Sequence, residues 1–254
     1  MKNILIIFLI FNSILLCQYY SYTNIPNFLK NEYMIHKGIS TKKTNAIIIY
    51  TETSVDNNGF WNIKETYFKG YTTNKSIKDP FLLDINMMTN IRKTEMHSIV
   101  DLNNMRTVYN KTIRYYEFGT IEDIFDIRNK IEYTNASGYF FIFSMYGIYQ
   151  IARSFPFGIT NQMNIIIPIL EKDNKFKISI MDNNINKIKI NKEEKYCYEM
   201  EVKIEGMPFA MLFPKMKAYI DTNDNTRKIV KYNSISGMFD VMEIYLISTN
   251  KNDI

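Results

Sequence analysis

Short runs rich in apolar, β-branched and aromatic residues recur along this chain between turn signals, and in some of them apolar and polar residues alternate at a period of two, the pattern of strands with one covered face and one wet face. Residues 46–53 and 60–73 form two β-rich runs around Asp56-Asn57-Asn58-Gly59, a hairpin signature. Residues 93–102 and 105–118 form a second antiparallel pair, bent at Asn103-Asn104. Further strands are predicted over 163–170, 175–181 and 185–190, with turns at 171–174 and 182–184. The cleanest alternation follows, with Tyr196, Tyr198, Met200, Val202 and Ile204 on a core face and Cys197, Glu199, Glu201, Lys203 and Glu205 on a wet face. Residues 216–221, 227–232 and 238–248 complete the strand set.

Three stretches break the period. Residues 24–43 are polar and mixed and read as an exposed lead-in whose backbone need not be ordered. Residues 81–90 fit neither period, and 121–133 suit a strand or a short helix. The predicted helix covers about 138–155, after the capping run Thr134-Asn135-Ala136-Ser137. There Phe141, Met145, Ile148, Ala152 and Phe155 recur at steps of four and three and lay an apolar stripe along one side. Such a stripe needs cover, most economically from a curved sheet. The expected fold is therefore mainly β: a curved antiparallel sheet or partly closed barrel wrapped around one apolar helix.

The first residues differ in kind. Met1-Lys2-Asn3 precedes an apolar run over 4–16 and then Cys17-Gln18, the anatomy of a secretory signal peptide rather than of a membrane span, which needs about 20 apolar residues. The expected organisation is a signal peptide over 1–17 and a single β-rich domain over 18–254 with a flexible lead-in. The product would be exported, periplasmic or associated with the cell envelope. Cys17 is a lipidation candidate, although Leu16 stands where a lipoprotein signal has a small residue. Lipidation there, or an uncleaved N-terminus, is the expected route to membrane association. Once the leader is cut near Cys17, Cys197 has no partner for an internal disulfide. Stability must then come from the apolar core.

The formal net charge of +5 falls to +4 when Lys2 leaves with the leader (5 − 1), and the charges are interspersed. That excess is no nucleic-acid footprint. His36 and His97 lie far apart with no cysteine or carboxylate at ligand spacing, so no metal site is expected, nor any cofactor. There is no serine elbow and no phosphate-cradling glycine loop. With no catalytic constellation in view, the chain reads as noncatalytic. Glu199 and Glu201 fit a wet strand face, and Asp224 and Arg227 a structural turn pair. Arg153, on the apolar helix, must reach solvent or find a partner on the sheet. The segment 206–214 contains Phe209, Met211 and Phe213 with no charge between Pro208 and Pro214. It reads as a loop over the core or as an apolar lip over a groove.

Several motifs in order resemble the DUF3108 family of exported bacterial proteins of unknown function. They are Tyr149-Gln150-Ile151-Ala152-Arg153 followed by Pro156-Phe157-Gly158, the strand around 197–202, Asp224-Asn225-Thr226-Arg227-Lys228-Ile229-Val230, and Ser236-Gly237 before the last strand. The resemblance covers about residues 138–248, and Ile229 stands where the family pattern has proline. It implies an exported β-rich domain similar in outline to the lipoprotein carriers, with no known activity or catalytic residue. The expected function is a noncatalytic envelope protein that binds a lipid or other apolar or amphipathic partner in the concavity of the sheet. Its candidate lining is Phe141, Met145, Ile148, Phe209, Met211 and Phe213. The alternative is a structural or scaffolding envelope component that docks another protein through the apolar loop or a sheet edge.

Overall fold

The computed structural model describes residues 31–40, 44–73, 77, 79–102, 106–126, 140–141, 152–153, 155, 157, 162–168, 175–205, 216–223, 226–237 and 240–249. Six strands fill the first half: β1 (Glu32–Ser40), β2 (Asn45–Val55), β3 (Phe60–Thr72), β4 (Met88–Asp101), β5 (Arg106–Tyr116) and β6 (Gly119–Asp126). The second half holds β7 (Phe140–Phe141), β8 (Gln162–Pro168), β9 (Lys175–Ile190), β10 (Glu193–Glu205), β11 (Met216–Asp221), β12 (Ile229–Gly237) and β13 (Asp240–Ser248). All thirteen belong to one open sheet in the order β6-β5-β4-β3-β2-β1-β13-β12-β11-β10-β9-β8-β7. Neighbours are antiparallel except β7 and β8.

The β2–β3 turn shows how local chemistry fixes register. Asp56 accepts the backbone N–H groups of Asn58 and Phe60 at 2.9 Å each, and Gly59 takes the positive φ of 79° that closes the turn. The ladder that follows runs without a shift from Val55–Trp61 to Asn45–Tyr71.

The inward faces of both halves meet in one core. Ile47, Ile49, Trp61, Ile63, Met96 and Val100 from β2–β4 join Ile180, Met200, Val202, Ala218, Ile220 and Ile244 from β9–β13. A sheet must curl strongly to bring strands so far apart in its order into one cluster, which is the natural result of strand twist accumulating over many strands. Trp61, the only tryptophan, is fully buried there, so its fluorescence reports the integrity of this interior. Its ring N–H has no acceptor among the described residues.

The outer face of β1 and β2 is covered as well. Ile35, Ile39, Ala46 and Ile48 pack with Leu83, which arrives on the β3–β4 connection. Residues 81–90, of no clear period in the sequence, are two 3-10 turns, Pro80–Leu82 and Ile85–Met87, and the first residues of β4. Asp79 and Asp84 cap the turns through the N–H groups of Phe81 and Asn86. Lys37 donates to the Leu83 carbonyl at 2.7 Å. Burying a leucine here contributes about 2 kcal/mol.

Four expectations change. The lead-in predicted over 24–43 contains β1, which pairs with β2 on one side and β13 on the other. Covered on both faces, it buries Met34 and His36 inward and Ile35 and Ile39 outward, so no alternation marks it. At Gly38 the backbones approach so closely that a Cβ would lie 2.7 Å from Ile244 Cγ1. The turn predicted at 182–184 is absent, since β9 runs unbroken through it with Asn184 at φ 94° and a bulge opposite Tyr198 to Met200. The predicted core face of β10 holds at Met200 and Val202 but not at its start, and the face expected to be wet is partly buried. Tyr196 is exposed, whereas Cys197 packs with Ile190 and Val230, and Glu201 is buried.

The fourth concerns the helix predicted over 138–155. Phe140–Phe141 is a short parallel strand instead, so the stripe cannot begin where the period put it. Residues 142–151, with Met145 and Ile148, lie outside the described residues, as do Cys17, Phe209, Met211, Phe213 and Asp224. Ala152, Arg153 and Phe155 are described, and all three are buried in the interior. Residues 121–126, left between strand and helix, belong to β6.

Candidate functional site

The outward side chains of β1–β5 form a grid set by the ladder register. One cross-strand row reads Tyr33, Glu52, Lys64, His97, Lys111, and the next reads Ile35, Tyr50, Thr66, Glu95, Ile113. Phe68 and Lys93 face each other in a third row. Directly opposed side chains in such rows stand about 5 Å apart at Cβ. A cavity of about 540 Å³ opens over this grid, lined by Tyr33, Tyr50, Glu52, Lys64, Thr66, Phe68, Ile85 and Lys93. A second, of about 220 Å³, shares Lys64 and Thr66 and extends across Glu95, His97, Lys111 and Ile113. Together they make one trough across the sheet. The capped turn Ile85–Met87 forms its rim.

Aromatic rings build the end near β1. Tyr50 and Phe68 meet edge to face with centroids 5.8 Å apart. Burial raises the Tyr33 hydroxyl above its ordinary pKa, and the neighbouring Tyr50 and Glu52 add to the effect. Burial likewise raises Tyr50, helped by Asp84. Negative charge and phenol oxygen therefore converge at this end. Toward β5 the lysines enter. Lys93 pairs with Glu95 at 2.6 Å and lies 4.9 Å from the Tyr115 ring centre, while Tyr115 donates to Glu95 at 2.7 Å. The Lys93 ammonium and then the Tyr115 hydroxyl hold Glu95 below the usual carboxylate range. Lys111 pairs with Glu122 at 2.9 Å. His97 contacts Asn62 Oδ1 at 3.2 Å and meets the Tyr109 ring edge to face, with centroids 5.7 Å apart. Lys64 forms no ion pair among the described residues.

The inward faces hold two buried polar centres. Glu65 accepts from Tyr67, with Thr51 Oγ1 at 3.5 Å, and burial pushes its carboxyl up to about 7. Arg153 pairs with Glu32 at 2.6 Å and donates to the carbonyls of Arg227 and Thr226 at 2.8 and 2.7 Å. Arg227 donates to the Phe155 carbonyl at 3.0 Å and lies over the Phe157 ring, which stacks on Tyr198 at 3.8 Å. His36 nearby donates from Nε2 to the Ile229 carbonyl at 3.0 Å. Burial lowers its pKa to about 4, so the ring is neutral at pH 7. These groups bind the fold to itself.

Of the trough residues the sequence reading singled out His97 alone, and only to set aside a metal role. Of the candidate lining and turn residues, Arg227 and Phe141 are placed, Arg227 beside Arg153 and Phe141 on β7 at the far end of the sheet order. Cys197 is buried, and burial raises its thiol to about 12, which keeps it protonated and unreactive. Among the described residues no cluster of three His, Cys, Asp or Glu could hold a metal ion.

No protein-family model matches the chain, and no curated protein matches it in sequence. The DUF3108 resemblance rests on the order of its motifs. A similar solved structure is a β-barrel-like protein of a domain of unknown function, DUF1849, from Brucella abortus. The two share 7% sequence identity at a TM-score of 0.49, over 87% of this chain and 97% of that one.

Proposed function

We propose that this is a noncatalytic binding protein of the cell envelope that holds a small amphipathic partner in the trough on the outer face of β1–β5. One observation carries the reading: within the described residues, the open volume of ligand size lies over an aromatic floor on the outer face, while the inward side chains of β2–β4 are packed into the core. A volume of about 540 Å³ suits a small ligand, and rings flanked by a few charged groups are the usual lining of such a site. The partner class is the amphipathic one expected from the sequence. Its place moves from the concavity to the outside of the sheet.

Calorimetric titration with dodecyl maltoside below its micelle concentration tests this. The expected result is saturable one-to-one binding, weakened about tenfold by Phe68→Ala and unchanged by Ile121→Ala on the exposed face of β6. Binding that ignores Phe68→Ala would return the ligand to the concavity, and absence of saturable binding would remove the function altogether. Envelope placement is supported by the leader-like pattern over residues 1–18. The intact mass of protein recovered from the native cell should show a start at or just after Cys17, with or without acyl chains. A chain that keeps Met1 would contradict export by cleavage.

A further inference from the structure

Strands β3 to β6 run past the core at the end where β3 leads out and β4 begins, and the faces buried along their middles come out into solvent there. On β3 the inward positions pass from Tyr67, 6% exposed, through Lys69 to Tyr71, 48% exposed. On β4 they pass from buried Met96 to exposed Arg92, on β5 from buried Asn110 through Arg114 to exposed Tyr116, and on β6 from Phe125 to exposed Ile121. The registers set these ends side by side: Lys69 opposes Arg92, Thr94 opposes Arg114, and Arg114 opposes Ile121. Met87 and Ile91 stand exposed at the same end, and the β5–β6 turn Glu117-Phe118 holds out a ring that is 100% exposed. Six of the ten exposed large apolar side chains among the described residues therefore share one end of the sheet. Surface apolar residues scattered singly would not gather so, and a gathered set marks an interaction surface.

We propose that this end of the sheet docks on the headgroup layer of an anionic lipid membrane, with Tyr71, Tyr116 and Phe118 entering the interface and Lys69 and Arg92 on the lipid phosphates. The mixture of side chains selects a membrane over a protein. The centre of a protein interface is depleted of lysine, whereas rings and aliphatic groups interleaved with lysine and arginine suit the boundary between headgroups and acyl chains. Charge is complementary in sign: the cations here are Lys69, Arg92 and Arg114, and the acids are Glu117 and Asp123, the latter already paired with Arg114. The shape agrees as well, since Phe118 stands out on a turn and is not sunk in a groove. This surface is separate from the trough and does not rest on the ligand reading.

Fluorescence of the full chain tests the docking, with vesicles of brominated phosphatidylglycerol as the probe. Phe118→Trp adds an emitter at the turn. Tyr196→Trp adds one at an exposed position of β10 beside the β11–β12 connection, at the other end of the sheet. Buried Trp61 gives both variants the same background and reports that they fold. Emission from position 118 is expected to fall at least twofold on the vesicles, while emission from position 196 holds. Adding Lys69→Gln and Arg92→Gln to Phe118→Trp should raise the lipid concentration for half quenching about tenfold, and brominated phosphatidylcholine should quench as weakly as that variant does. Equal quenching at both positions, which anchoring through the apolar run over 4–16 would give, overturns the proposal. So does an unquenched position 118, or quenching indifferent to the two cations. A dimer that sediments without lipid and is dissolved by Phe118→Ser would assign the surface to a second copy and overturn it too.

Discussion

Glu65→Gln should turn a protein with nearly level stability between pH 4.5 and 6.5 into one that weakens steadily in acid over that range. Glu65 has its folded pKa raised from 4.5 to about 7. The folded state therefore holds a proton that the unfolded chain has released, and stability falls as pH rises from 4.5 through 7. His36 has its folded pKa lowered from 6.5 to about 4. There the unfolded chain holds the extra proton, and stability falls as pH drops from 6.5 through 4. Each effect amounts to about 3 kcal/mol at 1.4 kcal/mol per unit. The slopes are opposite and overlap, so they cancel in the wild type. Glu65→Gln exposes the histidine slope, a loss of about 2 to 3 kcal/mol from pH 7 to 4.5. His36→Gln, which keeps a donor for the Ile229 carbonyl, exposes the carboxyl slope, with loss on going from pH 4.5 to 7. Urea unfolding followed by Trp61 emission at half-unit pH steps measures both. Variants whose profiles run parallel to the wild type would sink the compensation.

The second large effect is at Arg153. Its side chain is fully buried and its partners come from distant parts of the chain: Glu32 on β1 and the carbonyls of Thr226 and Arg227 just before β12. Arg153→Met would leave the Glu32 carboxylate unpaired, with only 16% of its side chain exposed, and two carbonyls without donors. Removing one member of such a pair costs about 3 to 5 kcal/mol. For a chain of this size that is a fall of about 10 °C in Tm. The double variant Arg153→Met/Glu32→Gln should recover more than 1 kcal/mol, because a neutral amide tolerates the site better than a lone charge. A single variant within 1 kcal/mol of wild type would show that the pair contributes little.

Strand content was legible because most strands have one wet face, and alternation such as Trp61, Ile63, Glu65, Tyr67 against Asn62, Lys64, Thr66, Phe68 survives in the sequence. β1 was illegible for the converse reason: with both faces covered, Met34, Ile35, His36 and Ile39 carry no period. A polar residue buried by pairing, as His36 is, reads as surface until its carbonyl partner 193 residues away is known. The trough was hidden differently. Glu52, Lys64 and His97 are each the ordinary wet residue of an alternating strand, and only the register of β2, β3 and β4 sets them side by side. Phe141 misled because its spacing to Met145 and Ile148 is helical, while β7 takes Phe140–Phe141 into the sheet.

The place of β1 in the strand order has a consequence for synthesis. β2 to β6 are each joined to their neighbours by short local connections and can assemble as they leave the ribosome. The same holds for most of β8 to β13. Among the described residues, the strand pairing that joins the two meanders is that of β1 with β13, as in the pairing of His36 with Leu246. Until β13 has been made, one long edge of β1 is bare, a row of unpaired N–H and C=O groups open to any strand that passes. The seam is the slowest contact to form, since its closure spans some 200 residues, and it is where a nascent chain is most exposed to pairing with a second copy of itself.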